Sequence, residues 1–542
     1  MLLNILSGLT FLLCASWSLA ASPDYNDDLA LELDAYVSRH INQTRHDHID
    51  LVALQKFYAT RNYRAAWTDS NEQLARLKIA LSFIATAEKE GLDSRDYHLD
   101  QLGKLFANHA PSTRLELEFQ TTLSMMQFTN DLYRGRFNAA ELDPDWHIPQ
   151  PSFDAVEFLL SALDTDDLQH SLMRLTPSLP SYHLLKQALA KFRDLAARNV
   201  SWQHIPNTPL LRPGESHSVI PLIRARINQA YVTHAKTEYN LPAIEENTNS
   251  MLYDPELVSA IKTFQLQHGL IADGIIGDNT LKALNKTPAE KIRQLRINME
   301  RMRWLPRELG NRYLLVNIAG FQLAAVEHDQ YILDMRIIVG RHYRSTPSFS
   351  SRITHLIINP YWNVPASIAR KDLLPKQQKN PDYFTTQNIK VFTSYAYNSD
   401  PLNPGNIDWQ TIKNGFPYIL RQEPGIHNAL GAIKFMMPNP FSIYLHDTPY
   451  KNLFNKDIRT FSSGCIRLEK PLQLAEFALQ KQISPEALKA QIDTGETKQI
   501  NLPEPLPTYI VYLTAWIDSE HTIHYSPDTY QRDRRAFDFV HW

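Results

Sequence analysis

Near the C-terminal end, the stretch YLHDTPYKNLFNKDIRTFSSGCIRLEK (residues 444–470) gathers the side chains best suited to covalent chemistry. Cys465 follows Ser462-Ser463-Gly464 and stands nineteen positions after His446. A free thiol has a pKa of about 8.5, so a nucleophilic cysteine needs a base or a cation beside it at neutral pH. His446 can supply the base, and Arg467 a cation that favours the thiolate. Glycine before the cysteine allows a tight, exposed turn in which the N–H groups of Gly464 and Cys465 converge, as an oxyanion hole requires. Strand alternation puts Tyr444 and His446 on one face and Leu445 and Asp447 on the other. Asp447 is therefore not expected to orient His446; a backbone carbonyl or a nearby serine is the better candidate. The competing reading is a buried, inert cysteine and a histidine that is merely hydrogen-bonded.

The N-terminus bears on that choice. MLLNILSGLTFLLCASWSLAASPDYNDD runs from an apolar segment to the small-residue site Ser18-Leu19-Ala20 and then turns polar. This is the form of a secretory signal cut after Ala20 or Ala21, although no Lys or Arg precedes the apolar run. Left uncut, it would act as an N-terminal membrane anchor. Cleavage would remove Cys14, leaving Cys465 with no partner for an intramolecular disulfide in an oxidising compartment. An unprotected thiol there is a liability without a use.

The 542 residues call for two to four domains, and a 43% hydrophobic composition can fill several cores. With 55 basic against 58 acidic residues, there is no electrostatic case for nucleic acid or an anionic membrane as partner. Residues 27–199 read as helical, with Leu51, Leu54, Phe57 and Tyr58, and then Leu74, Leu77, Leu81 and Ile84, at helical spacing. Helices are expected at residues 114–134 and 181–197, and Gly91 suits a left-handed cap. His46 and His48 are at poor spacing for a shared metal and read as a solvated face. No metal site and no cofactor is expected.

A second unit starts at Leu211. Within it, ELVSAIKTFQLQHGLIADGIIGDNTLKALN (residues 256–285) has Leu257, Ile261 and Phe264 on one helical stripe, turns at Asp273-Gly274 and Gly277, and Asp278 or Asn279 to cap a helix starting near Thr280. After the basic helix KIRQLRINMERMRW (residues 291–304), the period becomes that of strands. YLLVNIAGFQLAAVEHDQYILDMRIIVG (residues 313–340) predicts three strands with turns at Ala319-Gly320 and His328-Asp329. Further strands are expected at residues 353–358, 442–446 and 509–516. The polar residues 370–422 form an insertion read as a lid.

The 264–284 stretch resembles the small three-helix peptidoglycan-binding domain of wall enzymes, through Phe264-Gln265, Gly269-Leu270, Asp273-Gly274, Gly277 and Thr280. Most of these residues build turns and core rather than touch ligand. IYLHDTP followed by RTFSSGCIRLEKP resembles the active-site signature of the L,D-transpeptidase family, with His446, Ser462, Ser463, Gly464, Cys465 and Arg467 in its places. Ser463 departs from the second histidine of many members. FYATRNYRAAW (residues 57–67), the wall-binding module, the catalytic domain with its insertion and LGAIKFMMPNPFSIYLHDTP (residues 430–449) occur in the order of the large periplasmic enzymes of Gram-negative bacteria.

The resemblance implies a multidomain α+β protein: a signal peptide (1–21), a helical scaffold domain (22–210) and a small peptidoglycan-binding-like domain (211–286). A connecting helix (287–311), a β-rich catalytic domain (312–500) with an inserted capping subdomain (370–422), and C-terminal strands packing on that domain (501–542) follow. It also implies a periplasmic enzyme in which Cys465 is nucleophile, His446 general base and acid, and Gly464 an oxyanion donor. Tyr444, Ser463 and Arg467 would contact substrate. The partners would be peptidoglycan stem peptides, a donor tetrapeptide and an acceptor amine, giving 3→3 cross-links. Water as acceptor would make it an L,D-carboxypeptidase; a catalytically idle wall-binding protein is the alternative of another class. Carbapenems acylate the cysteine in relatives.

Overall fold

The computed structural model describes residues 25–40, 51–108, 110–165, 167–198, 202–232, 250–395, 400–413 and 415–539. The signal segment with Cys14, and His46 and His48, lie outside them. No helix among the described residues is long and apolar enough to cross a membrane. The chain divides into two compact units, Met1–Arg136 with Pro151–Ser178, and Phe137–Gln150 with Leu179–Trp542.

The first unit is helical. Its helices include Leu51–Thr60, Asn71–Ile84 and Pro111–Arg134, the last close to the span expected from periodicity. The buried Glu118 carboxylate on the long helix accepts hydrogen bonds from the N–H groups of Ala66 and Trp67 and from the hydroxyls of Thr68 and Tyr58. The FYATRNYRAAW segment therefore converges on one buried acceptor. Burial holds the Glu118 carboxyl above the usual carboxylate range, against the pull of those four donors.

In the second unit, helix Pro255–Gln267 and the short helix Asp278–Leu284 enclose an apolar core with Ile220, Ile223 and Ile227. Gln265 ties the turn between them. Its amide donates to the Asp273 carboxylate and the Ile275 carbonyl, and its carbonyl accepts from Gly274 N–H. The short helix starts two residues before Thr280, with Gly277 at its N-cap, so neither Asp278 nor Asn279 caps it. Helix Pro180–Ala197 belongs by its packing to this second unit. It lies against helix Pro288–Arg303, whose Arg303 reaches the Tyr182 hydroxyl at 2.9 Å.

The strands are β1 Arg312–Asn317, β2 Gln322–Glu327, β3 Gln330–Gly340, β4 Phe349–Ile358, β5 Trp362–Asn363, β6 Ile389–Phe392, β7 Ile419–Gln422, β8 Ile433–Met436, β9 Leu445–His446, β10 Thr460–Ser462, β11 Ile466–Leu468, β12 Lys498–Val511, β13 Ala515–Ile517 and β14 Ile523–Tyr525. Among the described residues nine of them form one sheet in the order β10-β3-β11-β9-β8-β4-β12-β1-β2, and the long β3 also pairs with β2. That extra pairing closes the strands from β3 to β2 into a ring, with β10 attached to β3 alone as the remaining edge. β12 crosses residue 500 and lies between β1 (parallel) and β4 (antiparallel). Ile337, Val339, Leu356, Ile358, Ile433, Phe435, Leu445, Ile466 and Leu468 fill one face as core.

β5, β7 and β6 form a separate small sheet, so the inserted subdomain begins at Trp362 rather than at residue 370. It has its own apolar core of Leu373, Phe384, Val391, Trp409 and Leu420. The strand expected over residues 442–446 is shorter, Leu445–His446. Asn439 explains this: its amide donates to the carbonyls of Met437 and Ile443, and its carbonyl accepts from the N–H groups of Phe441 and Ile443, folding the preceding segment into a turn.

Candidate active site

Alternation along β8, β9 and β11 assigns the site. The residues that feed the core are Ile433, Phe435, Leu445, Ile466 and Leu468. The intervening residues must point to the opposite face. β9 and β11 run parallel, with Leu445 opposite Ile466 and His446 opposite Arg467. β8 lies on the other side of β9, with Lys434 opposite His446. Lys434, His446 and Arg467 therefore form one row across three strands. One step back in the same register, Tyr444 and Cys465 stand beside each other; Ile466 N–H donates to the Tyr444 carbonyl at 3.1 Å. The four residues Tyr444, His446, Cys465 and Arg467 thus share a face.

The loop that carries the thiol is clamped from both sides. The Ser462 hydroxyl donates to the Cys465 carbonyl at 2.6 Å and accepts from Gly464 N–H at 3.1 Å. The Gly464 carbonyl accepts from the Thr346 hydroxyl at 2.8 Å, and that hydroxyl accepts from Gly340 N–H at 3.0 Å. Gly464 has φ +118°, a conformation that favours glycine. Gly340 is required for space: a Cβ there would meet the Arg344 carbonyl oxygen at 2.1 Å. This arrangement corrects one expectation. Gly464 N–H is already engaged by Ser462, so it is not free to serve an oxyanion, whereas Cys465 N–H has no partner among the described residues.

His446 is buried, at 4% exposure. Its Nδ1 lies 2.5 Å from the Asp447 backbone oxygen. A carbonyl oxygen only accepts, so the proton sits on Nδ1 and the Nε2 lone pair is left open. The Asp447 carboxylate goes elsewhere, accepting from Ala432 N–H at 2.8 Å and pairing with Lys451 at 2.5 Å. A backbone carbonyl orients the imidazole, as the alternation argument anticipated, although it belongs to Asp447. Burial first, then the positive charges of Arg467, Lys434 and Lys451, push the His446 pKa down to about 3; the Asp447 carbonyl pulls the other way.

The Cys465 sulfur lies 4.0 Å from the Ser442 carbonyl oxygen. Burial raises its pKa, opposed by the Tyr444 N–H, Lys434, the Tyr444 hydroxyl and Arg467. At neutral pH the resting pair is thus a thiol and a neutral imidazole, not the preformed thiolate that an adjacent cation suggested. Sequence reasoning missed Lys434, which sits in AIKFMM with alternation as its only signal.

Residues 311–493 match the family described as "L,D-transpeptidase catalytic domain". The chain carries an L,D-transpeptidase catalytic domain. Residues 52–189 match "Scaffold domain" and residues 236–284 match "Putative peptidoglycan binding domain". The chain is 37% identical over 243 residues to a protein of Haemophilus influenzae named "Putative L,D-transpeptidase", covering 45% of this chain and 48% of that one. It therefore spans about half the length of the curated relative it matches. A crystal structure of an L,D-transpeptidase from Xylanimonas cellulosilytica overlaps 56% of this chain and all of its own, at 12% identity and a TM-score of 0.17, too loose a likeness to bear on the fold.

The transpeptidase domain ties its inserted subdomain to the thiol loop. Arg344 donates to the Ser463 hydroxyl at 2.7 Å and to the Asp372 carboxylate at 2.6 Å. Arg341 lies 3.6 Å from the same carboxylate. Asp372 belongs to the helical turn Ala369–Leu373 at the root of the insertion. Ser463 therefore reaches Arg344, and through it the insertion, by its side chain.

Proposed function

We propose that this chain is an exported, periplasmic L,D-transpeptidase that makes 3→3 cross-links between peptidoglycan stems through a Cys465 thioester. The observation that carries the reading is the shared face of Tyr444, His446, Cys465 and Arg467 on paired β9 and β11. In this mechanism the Cys465 sulfur attacks the carbonyl at the L-centre of the third residue of a donor tetrapeptide. The thiol proton passes to His446 Nε2, the nitrogen left unprotonated by the Asp447 carbonyl.

The imidazolium so formed lies among Arg467, Lys434 and Lys451, which makes it a strong acid. It gives the proton to the departing amine, and the terminal D-residue leaves. Cys465 N–H serves the oxyanion, while Gly464 shapes the turn that presents it. The amine of a neighbouring stem's third residue, diaminopimelate as the resemblance implies, then resolves the thioester. Arg467 receives a substrate carboxylate, Tyr444 walls the donor subsite, and the inserted subdomain covers the site.

The test is incubation of purified chain with tetrapeptide muropeptides. Cross-linked dimers in the mass spectrum are expected, and Cys465→Ala should yield none. Tripeptide monomers alone would convert the assignment to an L,D-carboxypeptidase. Turnover by the alanine variant would remove Cys465 as nucleophile.

A further inference from the structure

The row across β8, β9 and β11 holds a charged group that the mechanism above assigns only to the acidity of the His446 imidazolium and gives no role toward the sulfur. Lys434 stands opposite His446, and its ammonium lies 3.9 Å from the centre of the Tyr444 ring. The Tyr444 phenol and the Cys465 thiol in turn lie close enough to shift each other's pKa, the phenol's upward and the thiol's downward. Among the described residues Lys434 has no carboxylate partner. A half-buried lysine without a counter-ion bears a desolvation cost, and burial indeed lowers its pKa while the neighbouring Cys465 raises it. Such a cation is arranged to meet a negative charge that forms only during the reaction.

We propose that Lys434 is a positioning residue of the transpeptidase site, whose ammonium stabilises the Cys465 thiolate across the Tyr444 ring as the thiol proton moves to His446. The step balances: the S–H bond breaks, Nε2 of His446 gains the proton, and the sulfur carries the negative charge while Lys434 stays protonated throughout. The groups that act on the sulfur are Lys434 from β8, Tyr444 just before β9 and Arg467 from β11, with His446 of β9 in the same row; His355 from β4 is a neighbour of Lys434. Lys451 and Asp447 form an ion pair behind His446. Arg467 also lowers the thiol's pKa, but its own neighbours include Arg341 and Tyr450, and its Nε is buried with no partner. Lys434 comes before Arg467 among the charges that favour the thiolate.

The proposal rests on Cys465 being the working thiol, and its first readout needs no peptidoglycan. The rate of Cys465 alkylation by iodoacetamide is followed against pH on the full chain, read on the Cys465 peptide by mass spectrometry. Lys434→Met should slow alkylation near neutral pH on the order of tenfold, the effect of about one pKa unit, and move the profile to higher pH. Lys434→Arg should restore most of the rate. Lys434→Gln provides a second neutral variant if the methionine form melts early. Superimposable profiles for wild type and both neutral variants would overturn the proposal. So would an unchanged profile with a raised KM for the donor peptide, which makes Lys434 a carboxylate receptor instead. A shifted profile in a chain that forms no cross-links would uphold the lysine's role and sink only the cross-linking assignment.

Discussion

Replacing Ser462 with alanine tests whether the thiol loop works because it is clamped or in spite of it. The Ser462 side chain, 3% exposed, makes two hydrogen bonds inside the loop, to the Cys465 carbonyl at 2.6 Å and from Gly464 N–H at 3.1 Å. Each is worth about 0.5–1.5 kcal/mol net, and the abandoned Gly464 N–H and Cys465 carbonyl add a cost where they stay dry. A loss of about 2–3 kcal/mol follows. If the whole of it falls on the geometry of attack, acylation slows by a factor of about 30 to 160. The assay is the rate of the Cys465 mass shift with a carbapenem under single-turnover conditions, with melting temperature as the control for folding. The opposite result is informative. Alanine frees Gly464 N–H, so a variant that acylates as fast as wild type or faster would show that this N–H serves the oxyanion when released. The clamp would then be a restraint on catalysis, and the reasoning above would fall.

Other expectations follow from the same geometry. Folded His446 has a pKa of about 3 against about 6.5 unfolded, so the unfolded chain binds the extra proton between those values. Stability present above pH 6.5 is therefore lost as pH falls toward 3, at about 1.4 kcal/mol per unit for this group, and His446→Gln should flatten the dependence of the urea midpoint on pH. The kcat/KM profile should show no acid limb near pH 6.5; a limb there would mean the imidazole titrates normally. Gly340→Ala places a methyl 2.1 Å from a backbone oxygen that cannot swing away. It should cost about 3 kcal/mol and lower the melting temperature by about 6 °C or more in a calorimetric scan. Asp372→Asn removes the carboxylate shared by Arg341 and Arg344, and limited proteolysis within residues 370–422 should accelerate; unchanged cleavage would show that the anchor holds by packing alone.

Much of the site was legible because its signals are local. Alternation through Tyr444-Leu445-His446 sorted the faces, and SSGC announced a tight turn at the cysteine, which the structure builds with Gly464 at positive φ. What escaped was non-local. Lys434 acquires its place only when β8 pairs with β9, and Thr346 reaches Gly464 across more than a hundred residues. The engagement of Gly464 N–H depends on a serine rotamer that spacing does not encode. The helix Pro288–Arg303 read as basic and connecting, yet it is buried: Arg301 pairs with Asp533, and Arg303 with Glu300 at 2.9 Å. Its charges are satisfied by residues over two hundred positions away and one turn away, respectively, and only the second is visible in sequence. Strand existence was legible over residues 313–340, and so was the His328-Asp329 turn that joins β2 to β3, whereas the pairing of β3 with the distant β11 was not.

The position of β12 sets an order of events during synthesis. Every side chain assigned to the chemistry lies before residue 468, yet the strand that joins β1 to β4 ends at Val511. A growing chain therefore holds its complete reactive set while the barrel still lacks a stave, with β1 and β4 each showing an unpaired edge. A premature stop between residues 470 and 497 would leave a polypeptide with every residue of the proposed site and a sheet that lacks the strand between β4 and β1. Completion of the enzyme waits on a segment that takes no part in the reaction.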